Sequence, residues 1–378
     1  MMPYLTGKYG NPGSLHAMGR EAAAAVENAR QQVASFIGAK DPEQIIFTGG
    51  GTEGNNMVFN GLSLYVELSG RDAIMTSSFE HDSVLSSVKR ARFGGWCTCI
   101  EVVEPDSNGI VTTETVSHCI EKLTSKRPGC KIGLISIMSA NNELGTLNPV
   151  HGICRIAHDH DALFHTDAVQ AAGLYPLDVY RNDYDFVTIS SHKIHGPKGV
   201  GALYASDWKG TMLRPLIRGG RHQEFGLRGG TENVAGIVGF GKACELMSFG
   251  YEERDIKREQ LAERFLYRLR HEFLGKPDGF EINGTPPEDF KTVSLRFDGV
   301  DAQTLLLMLD ARGIAVSAGS ACTAHEDTPS HVLLSIGLTL EQARSTIRVS
   351  FSDKNTLEEV DKAAMAIVKC VSTLRGET

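Results

Sequence analysis

The 378-residue chain has no apolar run long enough to span a bilayer, no excess of basic residues and no closely paired cysteines. A transmembrane helix needs about 20 consecutive apolar residues, which this sequence does not contain. The first ten residues, MMPYLTGKYG, also lack the charged segment followed by an apolar one that marks a secretory signal. These absences predict a cytoplasmic protein with no membrane partner.

The charge balance is acidic. Lys and Arg together number 38 and Asp and Glu number 46, which gives a formal net charge of -8. Such a chain has no general electrostatic attraction for nucleic acid. Hydrophobic residues make up 41% and charged residues 22%, both near the average of globular proteins. We therefore expect a globular enzyme of two domains, with no direct nucleic-acid partner.

The eight cysteines are scattered and form no C-x-x-C pair, so the sequence predicts neither a metal site nor a dithiol redox site. Seven of them are expected to be small buried side chains. Cys322 differs because it lies in SAGSACTAHEDTPSH, a stretch of small residues between two apolar segments. A thiol on such a loop is poorly placed for packing and well placed to reach a substrate.

Apolar periodicity predicts a helix from Ser14, its N-cap, to Ile37. Short apolar, β-rich runs then alternate with segments of helical length up to about residue 246, which predicts a largely parallel sheet. A long charged helix and a different pattern follow. We expect a large domain over 14–245 and a smaller α+β domain made of 1–13 and 246–378.

Several polar residues come just after the predicted strands. They are Thr52, His81, Asn142, Asp167, His192 and Lys193. Open α/β sheets bind their ligands at the carboxyl ends of their strands. The sequence therefore predicts one site assembled from these strand ends.

The segment GGGTEGNN, residues 49–56, matches the G-x-G-x-x-G dinucleotide fingerprint between a strand and a helix. The next strand offers no acidic residue at the place where NAD binding requires one. Glycines at a helix N-terminus, together with the Thr52 hydroxyl, suit a phosphate group. We predict a phosphate site rather than an NAD site, with a plain tight turn as the alternative.

Two further segments suggest cofactor chemistry. Asp167 could cap a helix, with Gln170 one helical turn later, or it could hold the proton of a cationic ring nitrogen. Lys193, in SSHKIHGPKG, is expensive to bury unless its amine is paired or used. Burial and cationic neighbours make a lysine amine nucleophilic toward carbonyl groups. The alternative is a surface lysine in a polar turn.

Arg348 lies in STIRVSF, whose alternation is typical of a strand. The pattern places Arg348 on the opposite face from Ile347 and Val349. Such an arginine either faces solvent or, beside a cleft, binds a carboxylate through both arms of its guanidinium group.

Taken together, eight segments in this order resemble the cysteine desulfurases of the NifS/IscS type over nearly the whole chain: FTGGGTEGNN, FEHDS, NNELG, HTDAVQ, SSHKIHGPKGVGALY, GLRGGTEN, GSACT and STIRVSF. The resemblance implies an α/β, fold-type-I transferase that depends on pyridoxal 5'-phosphate. Its large domain would hold a mostly parallel seven-stranded sheet, and its smaller domain would carry the cysteine loop. Such enzymes act as homodimers and convert L-cysteine to L-alanine, holding the sulfur as a persulfide for sulfur-acceptor proteins.

The resemblance also implies residue roles. Lys193 would be the Schiff-base lysine, Cys322 the thiol that takes the sulfur, and His81 a proton shuttle stacked on the cofactor ring. The remaining cofactor contacts would come from Gly51, Thr52, Asn142, Asp167, Gln170, Ser190, His192 and, from the other subunit, Thr231. Arg348 and Asn142 would anchor the substrate carboxylate.

One departure concerns the beginning of the chain. Family members usually start with a further segment that includes a YLDNAATT-like strand, whereas this sequence starts at MMPYLTGKYGNPGS, already inside the pattern. This predicts weakened folding or substrate binding, or a true start upstream.

The length of the loop after Cys322 resembles the long-loop subgroup, which predicts a general sulfur donor to iron–sulfur clusters, thiolated tRNA or other products. The alternatives are a selenocysteine lyase or related β-lyase, and a catalytically impaired homologue that serves as a sulfur-transfer scaffold.

Overall fold

The computed structural model describes residues 1–274, 279–285, 291–319 and 329–377. The chain forms two compact units. Unit 1 comprises Met1–Val103, Thr112–Ala140 and Asn148–Tyr251, and unit 2 comprises Glu104–Val111, Asn141–Leu147 and Glu252–Thr378.

This division differs from the expected domain bounds at three places. Unit 1 extends to Tyr251, whereas the large domain was expected to end at residue 245. Residues 1–13 group with unit 1, because the short helix at Met2–Thr6 packs on the helix at Val234–Met247. Two short segments from within 14–245, Glu104–Val111 and Asn141–Leu147, group with unit 2. Each of these segments is a loop that follows a strand. Apolar periodicity does not show to which unit such a loop belongs.

The strands of the described residues are β1 (Ile45–Thr48), β2 (Ala73–Ser77), β3 (Cys99–Val103), β4 (Ile132–Ser136), β5 (Leu163–Asp167), β6 (Phe186–Ser190), β7 (Gly201–Ala205), β8 (Glu281–Ile282), β9 (Thr292–Arg296) and β10 (Thr346–Ser350). The α-helices are α1 (Met2–Thr6), α2 (Ala17–Ile37), α3 (Gly51–Gly61), α4 (Ser63–Ser69), α5 (Asp82–Phe93), α6 (Thr113–Lys126), α7 (Val150–Asp159), α8 (Val234–Met247), α9 (Tyr251–Glu272), α10 (Ala302–Asp310), α11 (His331–Ser335), α12 (Leu340–Arg344) and α13 (Leu357–Leu374). Short 3-10 helices lie at Pro42–Gln44 and Ser191–Ile194, and a kinked turn lies at Gln223–Gly226.

Unit 1 contains a seven-stranded sheet of order β1-β7-β6-β5-β4-β2-β3. All neighbouring strands are parallel except at β7, which is antiparallel to both β1 and β6. The largely parallel sheet predicted from the sequence is therefore confirmed. Strands β1, β2, β4, β6 and β7 are buried along their whole length, as expected where both faces of a sheet are covered. Because β1 and β6 run the same way, their carboxyl ends share one edge with those of β2, β4 and β5.

The first long helix begins later than predicted. Helix α2 starts at Ala17, with His16 as its N-cap, because Nδ1 of His16 accepts the N–H of Gly19. Ser14 instead lies in the preceding turn, where its N–H bonds to the carbonyl of Asn11. The predicted end is confirmed, since Gly38 takes the left-handed conformation at φ 73° that suits a glycine C-cap.

Unit 2 contains an antiparallel sheet of order β10-β9-β8. Its core is made by the inner faces of α9, α10 and α13 against β9 and β10. Phe265 lies edge-to-face on Phe351 at 5.4 Å between ring centroids, and Phe273, Phe280 and Phe297 form a second aromatic group. Among the described residues, no helix of either unit is long and apolar enough to cross a membrane.

A buried ion pair fixes one segment of unit 1. Arg30, on α2, donates two hydrogen bonds to the carboxylate of Glu224, at 2.9 and 2.8 Å, and a third to the carbonyl of Ile45. Glu224 also accepts the N–H of Phe47 at 2.7 Å. Both charged side chains are almost fully buried. Glu224 is held at φ 41° and Phe225 at φ 59°, conformations that side-chain-bearing residues adopt only when the surroundings impose them.

Replacing Arg30 by Met is expected to destabilise the protein by about 3–5 kcal/mol, because it leaves the Glu224 carboxylate buried and unpaired. Thermal or urea unfolding measures this loss. The double variant Arg30→Met/Glu224→Gln serves as the control and should recover part of it. An Arg30→Met variant as stable as wild type would contradict this account of the segment.

Candidate active site

The glycine segment predicted as a phosphate site forms the turn between β1 and α3. Gly50 has φ 150°, a conformation that favours glycine. A Cβ added to Gly51 would lie 2.6 Å from Cγ2 of Val169, so the turn approaches the end of β5 more closely than a side chain allows. The first backbone N–H groups of α3 are thus brought to the edge of the sheet where β5 and β6 end.

A cavity of about 650 Å³ opens beside this turn. Its lining includes Gly50, Gly51, Thr52, Ser190, His192 and Lys198. Backbone N–H groups at a helix N-terminus, hydroxyl groups and a lysine ammonium group are all suited to an anion. Gly51, Thr52, Ser190 and His192, four of the residues that the resemblance assigns to the cofactor, line this one cavity.

His192 is held within this lining. Its Nδ1 lies 2.9 Å from Oγ of Ser190, at the end of β6. Burial lowers the pKa of the His192 imidazole, and the ammonium groups of Lys193 and Lys198 lower it further. The sequence reasoning did not select Lys198; its signal was a second cation five residues after Lys193, in the turn between two apolar strands.

Asp167, the last residue of β5, is buried with 5% of its surface exposed. Oδ1 accepts the N–H of Val169 at 2.9 Å, and Oδ2 accepts Nδ2 of Asn55 at 2.7 Å. The residues after Asp167 form turns and no helix, so it is not a helix cap, and Gln170 does not lie one helical turn on. The apolar spacing could not show this, because the local hydrogen bond of Asp167 to Val169 is an Asx turn.

Lys193 is half-buried in the 3-10 helix at Ser191–Ile194, directly after β6. The turn that carries it is tight. His195 takes φ 64°, and the N–H of Gly196 bonds to the carbonyl of Ser191. A Cβ on Gly196 would lie 2.1 Å from Oγ of Ser191, so only glycine fits there. This geometry explains why a glycine-rich turn follows the lysine.

His81 begins α5 as its N-cap. Its Nδ1 accepts the N–H of Ser83 at 3.1 Å and lies 2.8 Å from Oγ of Ser83. Asn55, on α3, donates to both Asp167 and Ser83, and through Ser83 it links Asp167 to His81. Sequence reasoning missed Asn55; its signal was a polar amide one turn into a helix, shortly before the apolar run MVF at 57–59.

In unit 2, Arg348 and Asn142 lie together. Nη1 of Arg348, in the middle of β10, donates to the carbonyl of Asn142 at 2.7 Å. Nε of Arg348 and Oδ1 of Asn142 are buried and have no hydrogen-bond partner within the described ranges. Burial lowers the pKa of the Arg348 guanidinium, which the nearby Glu143 carboxylate partly opposes. The alternative of a solvent-facing arginine is therefore wrong.

Two other predicted residues give no geometry for a site. Thr231 is exposed in unit 1, shortly before α8, and its contact with a second subunit stays a prediction. Cys322 lies outside the described residues. The other seven cysteines are free thiols, five of them buried. Within the described part of the chain, no group of three His, Cys, Asp or Glu residues could hold a metal ion.

Residues 1–363 match the family model described as aminotransferase class-V. The chain is 40% identical to the putative cysteine desulfurase IscS 1 of Bacillus subtilis, over 99% of this chain and 94% of that protein. It is also 40% identical to the cysteine desulfurase IscS of Dictyoglomus turgidum, over 99% and 91%. The chain belongs to the NifS/IscS-type cysteine desulfurases of the class-V aminotransferase family. The resemblance seen in the sequence is therefore confirmed.

Solved structures support the same family. A NifS-like protein is 35% identical and superposes with a TM-score of 0.86, over 98% of this chain and 94% of that chain. A structure described as SspA in complex with cysteine is 33% identical, with a TM-score of 0.78 over 94% of each chain. The fold-type-I architecture expected from the resemblance is thereby confirmed.

Members of this desulfurase family depend on pyridoxal 5'-phosphate, and unit 1 has the groups that this cofactor needs. The cavity beside Gly51 suits its phosphate group, and the close approach of the glycine turn to β5 is a feature that a simple tight turn would not require. Asp167 is a buried carboxylate, which is the group that a cationic ring nitrogen requires, and Lys193 has an amine in the turn that follows the next strand. The residues present fit the cofactor.

Glu80 is a buried carboxyl group next to this set and was not predicted. Oε1 accepts Oγ of Ser77 at 2.6 Å and the N–H of Met138 at 2.8 Å, so it connects the ends of β2 and β4. Burial raises the pKa of Glu80 to about 8; these two hydrogen bonds oppose the rise, and the charge of Asp167 adds to it. Glu80 therefore carries its proton at neutral pH.

Replacing Glu80 by Gln is expected to change the pH dependence of stability. The pKa of Glu80 is higher in the folded protein than in the unfolded chain, so its contribution is complete below about pH 4.5 and is lost as pH rises through about 8. Gln keeps the shape without the titration. The Tm of Glu80→Gln minus the Tm of wild type should therefore increase as the pH is raised from 5 to 8. A gap between the two that stays constant with pH would refute the assignment.

Proposed function

We propose that the protein is a pyridoxal-phosphate-dependent cysteine desulfurase that converts L-cysteine to L-alanine and transfers the sulfur to Cys322 as a persulfide. The observation that carries this proposal is the grouping in unit 1 of an anion cavity, a buried carboxylate at Asp167 and a half-buried lysine at Lys193. The membership in the desulfurase family supplies the substrate class.

In this proposal the residues of unit 1 hold the cofactor. Gly51, Thr52, Ser190 and His192 bind its phosphate group, Asp167 keeps its ring nitrogen protonated, and Lys193 supplies the amine that attaches it. When bound, the protonated ring withdraws electrons from the substrate Cα. Further contacts come from Gln170 and Asn142, and from Thr231 of a second subunit in a homodimer.

The proton steps use two of the chain's own bases. Nζ of Lys193 removes the Cα proton of the substrate, and His81 moves protons at the sulfur. His81 accepts hydrogen bonds at Nδ1, so its Nε2 is the atom available for this role. The thiolate of Cys322 then attacks the substrate sulfur, forming an S–S bond while the Cβ–S bond of the substrate breaks. The electron pair of the broken bond stays with Cβ, which takes up a proton to become the methyl group of alanine.

Arg348 binds the substrate carboxylate. Its Nε is a buried donor without a hydrogen-bond partner among the described residues, and such a donor is costly unless an acceptor arrives. Asn142 would assist through Nδ2. The persulfide would serve sulfur-acceptor proteins in the cytoplasm, such as iron–sulfur scaffold or tRNA-thiolation proteins. Neither a selenocysteine lyase nor a scaffold without activity is favoured by any contact described above.

Lys193→Ala is expected to lower alanine release by about 10²- to 10⁴-fold, because it removes the general base as well as the cofactor attachment. Cys322→Ser should keep the visible absorption of the bound cofactor and lose the persulfide. Absorption spectra, alanine assays and mass spectrometry of the protein measure these effects. Unchanged sulfur release in Cys322→Ser would refute the role of that thiol, and a wild type that stays colourless with added pyridoxal phosphate would favour the scaffold.

Arg348→Ala is expected to raise KM for L-cysteine by about 10- to 100-fold, because a charge-assisted hydrogen bond to the carboxylate is lost. The cofactor absorption should stay unchanged. Arg312→Ala is a matched control, since Arg312 is also in unit 2 but exposed. Steady-state kinetics of both variants measure the difference. Equal KM values in the two variants would exclude Arg348 from substrate binding.

A further inference from the structure

Asn55 lies one turn into α3 and is almost completely buried, with 1% of its surface exposed. Its Nδ2 donates one hydrogen bond to Oδ2 of Asp167, at 2.7 Å, and a second to Oγ of Ser83, at 2.9 Å. These partners belong to two other elements, β5 and α5. One side-chain amide therefore connects the end of a central strand to the start of a helix.

The hydrogen bonds from Asn55 to His81 have one direction. The N–H of Ser83 donates to Nδ1 of His81, and a backbone N–H can only donate, so Nδ1 is an acceptor. Oγ of Ser83 accepts from Asn55 and therefore directs its own hydrogen to Nδ1, 2.8 Å away. The neutral His81 ring consequently carries its proton on Nε2. Asp167 accepts the other hydrogen bond of Asn55, so one series of hydrogen bonds connects Asp167 to His81 through Asn55 and Ser83.

The other polar atom of the Asn55 side chain, its carbonyl oxygen Oδ1, is buried and left without a partner among the described residues. A buried carbonyl without a partner costs free energy, and an apolar side chain of similar size would avoid this cost. Packing alone therefore does not explain an amide at this position. Its two N–H groups do.

We propose that Asn55 is a positioning residue of the active site that fixes the Asp167 carboxylate and, through Ser83, the His81 ring relative to each other. The proposal rests on the proposed function, in which Asp167 faces the cofactor nitrogen and His81 moves protons. The N–H of Val169 holds one oxygen of Asp167 and Asn55 holds the other, so the carboxylate cannot rotate. Asn55 thus acts on the chemistry through Asp167 and His81 without itself contacting the substrate.

The hydrogen bond between Asn55 and Asp167 is tested by exchanging the amide and the carboxylate between these two positions. Asn55→Asp places a second carboxylate against Asp167, so its Tm should fall further below that of wild type at pH 8 than at pH 5.5. Asp167→Asn combined with Asn55→Asp restores one amide facing one carboxylate, and most of the lost Tm should return. Asn60→Asp is the matched control, because Asn60 is on the same helix and bonds only to the carbonyl of Asn56 among the contacts described.

Two titratable groups of the described residues interact with this pair. Glu80 acts on Asp167 electrostatically, and His81 is reached through Ser83. Neither residue is substituted in any variant, and Asn55→Asp alone keeps the Asp167 carboxylate that acts on Glu80. The direct contact is refuted if the Tm of Asn55→Asp changes with pH in the same way as the Tm of Asn60→Asp. It is also refuted if the double variant loses the sum of the Tm losses of Asn55→Asp and Asp167→Asn.

Cofactor binding separates positioning from a purely structural role. The exchanged variant should regain Tm but bind pyridoxal phosphate at least about tenfold more weakly than wild type, because its carboxylate has moved. Ser83→Ala removes the hydrogen bonds of Oγ to Asn55 and to His81 but leaves the bond between Asn55 and Asp167. It should lower the Tm only by the loss of this buried hydroxyl, and it should lower the cofactor affinity several-fold.

Wild-type affinity in both variants would overturn the positioning role, even where Asn55→Asp fails to fold. If the wild-type protein does not bind the cofactor, the proposed function is refuted. The Tm values of the exchanged variants then still test the contact between Asn55 and Asp167.

Discussion

The arrangement of unit 1 depends on one buried carboxylate, Asp167, at the end of the central strand of its sheet. A carboxylate in such a place is tolerated only if donors replace the water it has lost. The structure supplies two, the N–H of Val169 and the amide of Asn55. The second donor comes from the helix that the glycine turn starts, so solvating this carboxylate also positions the phosphate cavity.

The glycine turn and Asp167 therefore constrain each other. Gly51 must approach Val169 without a side chain in between, which brings α3 near enough for Asn55 to reach the carboxylate. A bulkier residue at position 51 would push the helix away and withdraw one of the two donors. The same close approach thus serves anion binding at the helix N-terminus and the satisfaction of a buried charge.

Much of this could be predicted from the sequence, for identifiable reasons. The sheet followed from apolar runs alternating with helical segments, and Asp167 and Lys193 were selected because parallel strands bring their carboxyl ends to one edge. The predicted start of α2 was wrong. Ser14 and His16 are both able to cap a helix, but Ser14 is part of the preceding turn, so His16 is the N-cap. Local patterns do not record that competition.

What could not be predicted depends on contacts between residues far apart in the chain. Asn55 and Asp167 are brought together only by the order of the strands, and Arg30 meets Glu224 for the same reason. The grouping of residues 1–13 with unit 1 also depends on packing against a helix more than 200 residues away in sequence. Motif spacing identifies residues that touch a ligand more readily than residues that hold them.

Oδ1 of Asn55 and Nε of Arg348 are two of the buried polar atoms that have no hydrogen-bond partner among the described residues, and they differ in what they imply. Asn55 is neutral and its two donors are already used, so its spare oxygen is the cost of the bonds it makes. Arg348 is charged, and burial lowers the pKa of its guanidinium. An anion that bonds to Nε would offset the desolvation that Arg348 has already undergone. The spare donor of Arg348, beside Asn142, therefore suits an anionic ligand, whereas the spare acceptor of Asn55, whose donors are both used, suits a positioning role.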